Sequence, residues 1–440
     1  MNDSTDRGRA WRAILLLMLL ALVVRAVVIP FLIGDQLDPT RDHWAFGCEE
    51  GRIARSLANG EGFSSPLFAR TGPTAWTTPV YPALLAGIFR IFGTFTPASA
   101  WAALLLNAIF AALTVLPVYF LTRRFFGCSA AFWAGLVWAL HPYSIFISSS
   151  LVWDYTLDAM MLALVLWATA ALEAAEGRAG LLAWAGYGIL WGVAALSNAV
   201  MLATLPFLLG WIAWRRHRRG LGWSRQSVVA LLLLTLTVAP WFARNYAAFG
   251  RFVPFRDTFW LVFWQGNTGD GSDLYPDWTN PAHNDAELAK YYSLGELGYM
   301  REKRAAAIGI LRQNPGLFLR TSVRRFFFTW TGYWSLSREY REAEPLTIPN
   351  IGFCSALTAL LLAGLRKAWR RNRHAVIPLA LVLLVYPMIY YFTHPGIEYR
   401  HPLDTVAAVF IGVLLARPDS TGAGPDPIGA GAADSAAAEG

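Results

Sequence analysis

The sequence predicts an all-α polytopic membrane protein with about ten transmembrane helices. Of its 440 residues 55% are hydrophobic and only 15% are charged, whereas a soluble domain carries about a quarter charged residues. Several apolar runs approach the roughly 20 residues with which a helix crosses a bilayer. Lipid is therefore predicted to be the main solvent of this chain.

The candidate spans are the apolar runs that approach this length. They cover residues 11–33, 98–121, 130–149, 156–172, 181–196, 200–214, 228–242, 348–365, 375–392 and 406–416. Arginines and lysines cluster before the first of these runs and after the second, sixth and eighth. With this arrangement all the clusters fall on one side, which the positive-inside rule makes cytoplasmic. The net charge of +8 then reflects membrane orientation and argues against a nucleic-acid-binding surface.

The predicted spans leave two large loops on the external side, residues 34–97 and 244–345. The apolar stretch 80–92 is short and contains Arg90, so we expect a helix that lies in the outer interface. We therefore expect a single transmembrane domain that covers residues 1–417. The Gly- and Ala-rich tail, residues 418–440, is predicted to be disordered. The three cysteines are far apart, which argues against a disulfide framework or a zinc site.

The first external loop carries two adjacent carboxylates in "GCEEGRIARSLANGEGFS", residues 47–64. Glu49, Ile53 and Leu57 have helical spacing, so the acid precedes two apolar residues that can face the membrane. A partly desolvated carboxylate has the raised basicity that a general base needs. An acid in the first turn of a helix also favours the helix dipole without any catalysis. The spacing alone leaves both interpretations open.

The same loop carries a family resemblance. "EEGRIARSLANGEGFS" (49–64) and "TGPTAWTTPVYPALLAGIFRIFG" (71–93) resemble the first external loop of polytopic glycosyltransferases of the protein-mannosyltransferase and aminoarabinose-transferase type. "PWFARNYAAFGRFVPFRD" (240–257) resembles the segment where these enzymes leave the membrane, and "YRHPLD" (399–404) resembles the motif before their last span. The resemblance covers about residues 11–416 and implies the GT-C fold that these enzymes share.

The resemblance implies transfer of a sugar from a polyprenyl-phosphate donor to a lipid, glycan or protein acceptor. The reaction is expected at the periplasmic or external face of a bacterial inner membrane, with a loop carboxylate as the base. Many relatives place this acid two turns before an "IA" element, which is Ile53-Ala54 in this chain, and at that position this chain has Phe46 and Gly47. Glu49 is therefore the first candidate for the base, and Glu50 and Asp42 are the reserves.

Arginines are the expected partners of the lipid phosphate, since the guanidinium forks around phosphate oxygens. Arg400 is the first candidate because it lies on the external side, against the positive-inside trend. Its neighbour His401 is either a phosphate contact or a satisfied interface histidine. Arg244 and Arg256 are further candidates, and Arg244 has the alternative of snorkelling to the interface.

The remaining candidates are polar residues near the external ends of spans. Tyr81 belongs to the family element "TPVYP", and Asn267 lies in the second loop with other possible sugar contacts, namely Trp264, Trp278 and Glu296. Asp154 and Asp158 share a helix face and either contact sugar hydroxyls or bind a divalent cation. No metal ligands are assigned, and a divalent cation stays open.

Arg25 lies within the first span and is expected to have a structural role. The alternative to an enzyme is a transporter or flippase for a lipid-linked sugar, because many spans and intramembrane charge also fit one. A non-catalytic envelope assembly protein is a third reading. A transporter would move its lipid without cleaving it, and an assembly protein would tolerate loss of Glu49.

Overall fold

The computed structural model describes residues 3–38, 44–67, 69–175, 180–268, 277–334, 338, 341, 346–393 and 396–417. Within these ranges the chain forms helices and no β-strand. The helices that build the bundle and its outer layer are α1 (Asp3–Leu32), α2 (Gly34–Leu37), α3 (Trp44–Gly47), α4 (Glu49–Ala58), α5 (Val80–Phe92), α6 (Pro97–Phe126), α7 (Cys128–Leu140), α8 (Pro142–Ser150), α9 (Tyr155–Ala174), α10 (Leu181–Ser197), α11 (Leu205–His217), α12 (Ser224–Phe249), α13 (Phe259–Asn267), α14 (Asp285–Leu294), α15 (Glu296–Gln313), α16 (Pro315–Thr331), α17 (Thr347–Arg371), α18 (Arg373–Val385), α19 (Met388–Phe392) and α20 (Ile397–Leu415).

The chain is an all-α polytopic membrane protein, as predicted, but the predicted number of spans is too high. In the described residues six helices are long and apolar enough to cross a membrane, or seven if the bent pair α7 and α8 forms one span. The three other predicted spans fall short for different reasons. Helix α10 has 17 residues, α11 has 13 and follows a 3-10 turn at Ala199–Thr204, and α20 carries Glu398, Arg400 and Asp404 in its first turns.

The centre of the bundle is formed by α6, α7, α9 and α20, which pack against one another. Helix α1 packs on α6, α7 and α8, while α10 packs on α12 and α17 on α20. The interior is largely alanine, leucine and valine with buried aromatic rings such as Trp138 and Trp191. Small residues let the helices approach closely, as is typical of membrane bundles.

Arg25 has the structural role expected of it. Its buried guanidinium donates to the carbonyl oxygens of Ala21, Ala139 and Trp138 at 2.9–3.4 Å and to the hydroxyls of Ser144 and Ser148 at 2.8 and 3.0 Å. These bonds join α1 to α7 and α8 across the bend at His141. The charge is therefore solvated by the protein inside the span.

The segments predicted as external loops form a helical layer of their own. Ile53, Phe63, Trp76, Trp241, Phe263 and Tyr299 belong to one apolar cluster that joins the first loop to α12, α13 and α15. Ile53 is fully buried there, so it faces the second loop instead of the membrane. Glu296 accepts hydrogen bonds from Thr74 Oγ1 at 2.5 Å and from the Ala75 amide at 2.6 Å, which ties the two loops together.

Candidate active site

The approach to α4 is a tight turn with an unusual backbone. Phe46, Gly47 and Cys48 have successive φ values of 57°, 76° and 54°, in a region that residues other than glycine rarely adopt. A Cβ atom on Gly47 would lie 2.1 Å from the carbonyl oxygen of Val152. Phe46 packs between the rings of Phe89 and Phe95, at centroid distances of 5.5 and 5.4 Å. The turn is thus docked on the connection between α8 and α9, and it sets the direction of α4.

Helix α4 carries Glu50 into the protein interior. Glu50 is 2% exposed, and its Oε1 accepts a hydrogen bond of 2.6 Å from Thr77 Oγ1. Within the described part of the chain its Oε2 has no hydrogen-bond partner. Glu49 is half-buried at the start of the same helix. Of the two adjacent acids, Glu50 is the one that the fold removes from solvent.

Two aspartates from the start of α9 complete a buried carboxyl cluster with Glu50. Asp154 is 8% exposed and Asp158 is fully buried. Asp158 Oδ2 accepts a hydrogen bond of 2.7 Å from the Asn198 side chain, which lies just beyond α10. The cluster therefore joins three parts of the chain that are distant in sequence.

The electrostatics of this cluster favour retention of protons. Burial and the neighbouring charge of Asp154 raise the pKa of Glu50 well above its ordinary value. Burial raises the pKa of Asp154 to about 7. Arg256 opposes both shifts, and its exposed guanidinium donates from Nε to Thr258 Oγ1 at 2.8 Å. A carboxyl that titrates near neutral pH beside a cation can accept a proton from a weak acid.

Arg244 is engaged by the first loop. It donates to the carbonyl oxygens of Thr74 at 2.6 Å and of Phe63, and it lies over the rings of Phe63 and Trp241 at 5.2 and 5.1 Å. These contacts hold residues 63–74 against α12. Arg244 and Arg256 therefore differ, because Arg256 alone is exposed and influences the carboxyl cluster.

Arg400 and His401 lie inside the bundle on α20. Arg400 is 2% exposed, forms an ion pair of 3.3 Å with Asp404, and donates to the Thr329 carbonyl oxygen at 3.3 Å. His401 is fully buried and stacks on Trp138 with a centroid distance of 5.4 Å. The guanidinium of Arg400 thus already has a carboxylate partner on its own helix.

The other predicted contacts are held by protein partners. Tyr81 donates to Asn107 Oδ1 at 3.0 Å, and it lies close enough to Glu50 and Asp154 for their charges to act on its hydroxyl. Asn267 donates to the carbonyl oxygens of Phe263 and Phe392 and accepts from Arg325. Asn267 therefore joins α13, α16 and α19.

Two further predictions concern Asp42 and a metal. Asp42 lies outside the described residues. Among the residues that are described, no group of three or more His, Cys, Asp or Glu side chains could hold a metal ion. Thr77 is not among the candidates from the sequence, although it directly precedes the family element "TPVYP", which begins at Thr78.

Comparisons with known proteins bear on this geometry. Residues 76–243 match the dolichyl-phosphate-mannose-protein mannosyltransferase family. The oligosaccharyltransferase of Archaeoglobus fulgidus, solved tethered to an acceptor peptide with an NVT sequon, aligns with a TM-score of 0.54 and 18% identity over 91% of this chain and 49% of its own. The chain has the GT-C fold. This confirms the fold that the family resemblance implied.

A second structure with the GT-C fold is the archaeal oligosaccharyltransferase AglB from Archaeoglobus fulgidus, in complex with an inhibitory peptide and a dolichol-phosphate. It aligns with a TM-score of 0.53 and 16% identity over 93% of this chain and 50% of its own. The present chain thus spans about half the length of these oligosaccharyltransferases. No curated protein matches the chain.

Proposed function

We propose that the protein is an integral membrane glycosyltransferase that moves a sugar from a polyprenyl-phosphate donor to a lipid, glycan or protein acceptor. The match of residues 76–243 to protein mannosyltransferases supports sugar transfer. The similarity to an oligosaccharyltransferase that holds dolichol-phosphate supports a lipid-phosphate donor.

We place the reaction on the periplasmic face of a bacterial inner membrane. Glu50 follows α1, Asp154 precedes α9 and Arg256 follows α12. Between α1 and α9 the chain crosses twice, in α6 and in the bent pair α7 and α8, and α12 crosses back after α9, so all three residues lie on the same side of the membrane. The basic clusters 123–124 and 215–219 come at the opposite ends of α6 and α11. By the positive-inside rule, these clusters are cytoplasmic and the carboxyl cluster is external.

The observation that carries the proposal is the burial of Glu50 against Asp154, with one carboxyl oxygen unpartnered in the described residues and Arg256 close by. Buried carboxyls with strongly shifted pKa values are concentrated at catalytic sites. In the proposed reaction Glu50 Oε2 accepts the proton of the acceptor hydroxyl or amine as that group attacks the anomeric carbon. The bond from this carbon to the phosphate oxygen breaks, and the lipid phosphate leaves with the electron pair.

Arg256 is proposed to compensate the charge that develops on the leaving phosphate. Arg256 is an exposed residue, and its charge acts on Glu50, the proposed proton acceptor, and on Asp154. Arg244 already binds two backbone carbonyl groups, and Arg400 already pairs with Asp404. These two arginines are proposed to support the site from α12, where Arg244 holds the first loop, and from α20.

The test is transfer of labelled sugar from undecaprenyl-phosphate sugars by the purified protein in lipid vesicles. Glu50→Gln is expected to lower the transfer rate at least about 100-fold, the usual contribution of a general base. Glu49→Gln is the matched control, and it should stay within a few-fold of the native rate because Glu49 is half-buried beside the cluster.

Three results would contradict parts of this proposal. Native rates in Glu50→Gln together with loss in Glu49→Gln would return the base to Glu49. Native rates in both would remove the base from α4. Movement of labelled donor across the membrane with its sugar–phosphate bond intact would identify a transporter for a lipid-linked sugar.

A further inference from the structure

The dipeptide Thr77-Thr78 connects the carboxyl cluster to the end of α10. The Thr77 hydroxyl donates to Glu50 Oε1 at 2.6 Å, and the Thr78 hydroxyl donates to the Ser197 carbonyl oxygen at 2.5 Å. The next residue, Asn198, donates its side-chain amide to Asp158 at 2.7 Å. Both threonines are buried, with exposures of 6% and 4%.

This arrangement distinguishes the two oxygens of Glu50. Oε1 is occupied by the Thr77 hydroxyl, and Oε2 has no partner among the described residues. A buried carboxylate with neither oxygen bonded would be free to rotate and would favour its neutral form. The single bond from Thr77 therefore both orients the carboxylate and stabilises its charged state.

We infer that Thr77 is a positioning residue for proton transfer: its hydroxyl fixes Glu50 through Oε1, so that Oε2 is presented to the acceptor. The hydrogen bond from Thr78 to the end of α10 fixes the backbone of this dipeptide. It thereby holds the Thr77 hydroxyl within hydrogen-bond distance of Glu50 on α4. The role in catalysis rests on the proposed function of Glu50, whereas the hydrogen bond and its effect on Glu50 do not.

The charged and titratable groups that act on Glu50 come from every element around it. They are Asp154 before α9, Arg256 beyond α12 and Glu49 on α4 itself. Tyr81 of α5 and Asp158 of α9 are in turn affected by the charge of Glu50. Burial and Asp154 raise the pKa of Glu50, and the Thr77 hydrogen bond lowers it. Loss of the hydroxyl should therefore keep Glu50 protonated to a higher pH.

The experiment compares Thr77→Val, which removes the hydroxyl at nearly constant shape, with Thr77→Ser, which retains it. Thr122→Val is the control, because the buried Thr122 hydroxyl donates to the Val118 carbonyl oxygen of its own helix, at 2.7 Å. Thr77→Val should lower kcat about tenfold or more with a smaller change in KM, as expected for a hydrogen bond to a charged group. Thr77→Ser and Thr122→Val should stay within about threefold of the native kcat.

A second readout does not depend on activity. Infrared difference spectra over pH contain a carbonyl stretch of protonated Glu50, identified by its absence in Glu50→Gln. In Thr77→Val this band should move to higher frequency, and its titration should move to higher pH. Thr77→Ser should restore both, because the donated hydrogen bond is restored.

Native kcat in Thr77→Val, or an unmoved infrared band, would overturn the inference. A native protein that transfers no sugar from any donor would defeat the proposed function, and with it the catalytic role of Thr77. In that case the infrared band still decides whether Thr77 controls the Glu50 carboxyl.

Discussion

Glu49 and Glu50 are adjacent in the sequence but have different environments in the fold. Glu50 lies on the side of α4 that includes the buried Ile53 and Ala54, and it faces Thr77 and Asp154. The sequence favours Glu49, because Glu49 lies one turn before the "IA" element of the family resemblance and has helical spacing with Ile53 and Leu57. The signal that could have favoured Glu50 is its spacing of three and four residues from Ile53 and Ala54, which places the three on one face.

At the residue scale, Asp154 should control the pH dependence of transfer. Its charge raises the pKa of Glu50, so Asp154→Asn should lower that pKa and shift the acid limb of kcat to lower pH. In the native protein the limb should lie well above the ordinary value for glutamate, because burial and the charge of Asp154 raise the pKa of Glu50. Measurement of kcat from about pH 3 to about 9 decides this.

Either of two outcomes would contradict this assignment. Complete loss of transfer in Asp154→Asn at every pH would make Asp154 the base. A native acid limb near pH 4.3, the ordinary value for glutamate, would mean that no buried carboxyl limits the rate.

At the scale of elements, the turn before α4 decides where Glu50 lies. The spacing of Glu49, Ile53 and Leu57 predicts a helix, and α4 covers these residues. The contact of Gly47 with Val152 could not be predicted, because it joins segments about 100 residues apart and depends on how α3 docks on the α8–α9 connection. The number of spans was overestimated for a related reason: helix breaks and buried charges interrupt runs whose average composition is apolar.

Gly47→Ala should release this turn. The added Cβ would overlap the Val152 carbonyl oxygen at 2.1 Å, and the φ of 76° would also be strained. Gly60→Ala is the matched control, because Gly60 has a φ of 79° but no atom within 4 Å of the added Cβ. Gly47→Ala should therefore lower both Tm and kcat. Gly60→Ala should lower the free energy of unfolding by only the roughly 1 kcal/mol of backbone strain, with a correspondingly small decrease of Tm.

Thermal unfolding in lipid nanodiscs, together with transfer assays, measures both effects. An equal decrease of Tm in the two variants would show that the Val152 contact does not hold the turn. Native kcat in Gly47→Ala would show that the function of Glu50 does not depend on the position of this turn.

At the scale of the whole molecule, the two external loops are joined through acidic side chains whose pKa values are raised by burial. Burial and the charge of Glu296 raise the pKa of Asp257 well above its ordinary value, and burial raises the pKa of Glu296. Asp257 also donates its backbone amide to the Ala75 carbonyl oxygen at 3.1 Å. The folded state thus binds more protons here than the unfolded chain, so its stability decreases as pH rises from about 4 towards the raised pKa values.

Asp257→Asn should remove part of this decrease of folding stability with rising pH. Its amide can donate to Glu296 without a proton, so Tm should fall less than in the native protein between about pH 4 and 8. Glu287→Gln is a control of opposite sign. Burial raises the pKa of Glu287, but hydrogen bonds from Lys303, Lys290 and Tyr299 outweigh it and lower the pKa. The native protein loses that stability on acidification, so Glu287→Gln should be destabilised most near neutral pH.

Measurement of Tm across this pH range in nanodiscs tests both predicted pH dependences. A parallel pH dependence in Asp257→Asn and the native protein would show that the Asp257–Glu296 pair is already ionised in the folded state.

The sequence by itself determined the all-α membrane character, most of the helix positions and the family resemblance. These depend on the transfer of local apolar runs into lipid and on short motifs, which are properties of contiguous residues. Only the tertiary structure decided which carboxyl is buried, which arginine stays exposed and which threonine bonds to Glu50. Those properties arise where residues 50, 77, 154 and 256 meet, and desolvation there depends on packing between segments that no local pattern specifies.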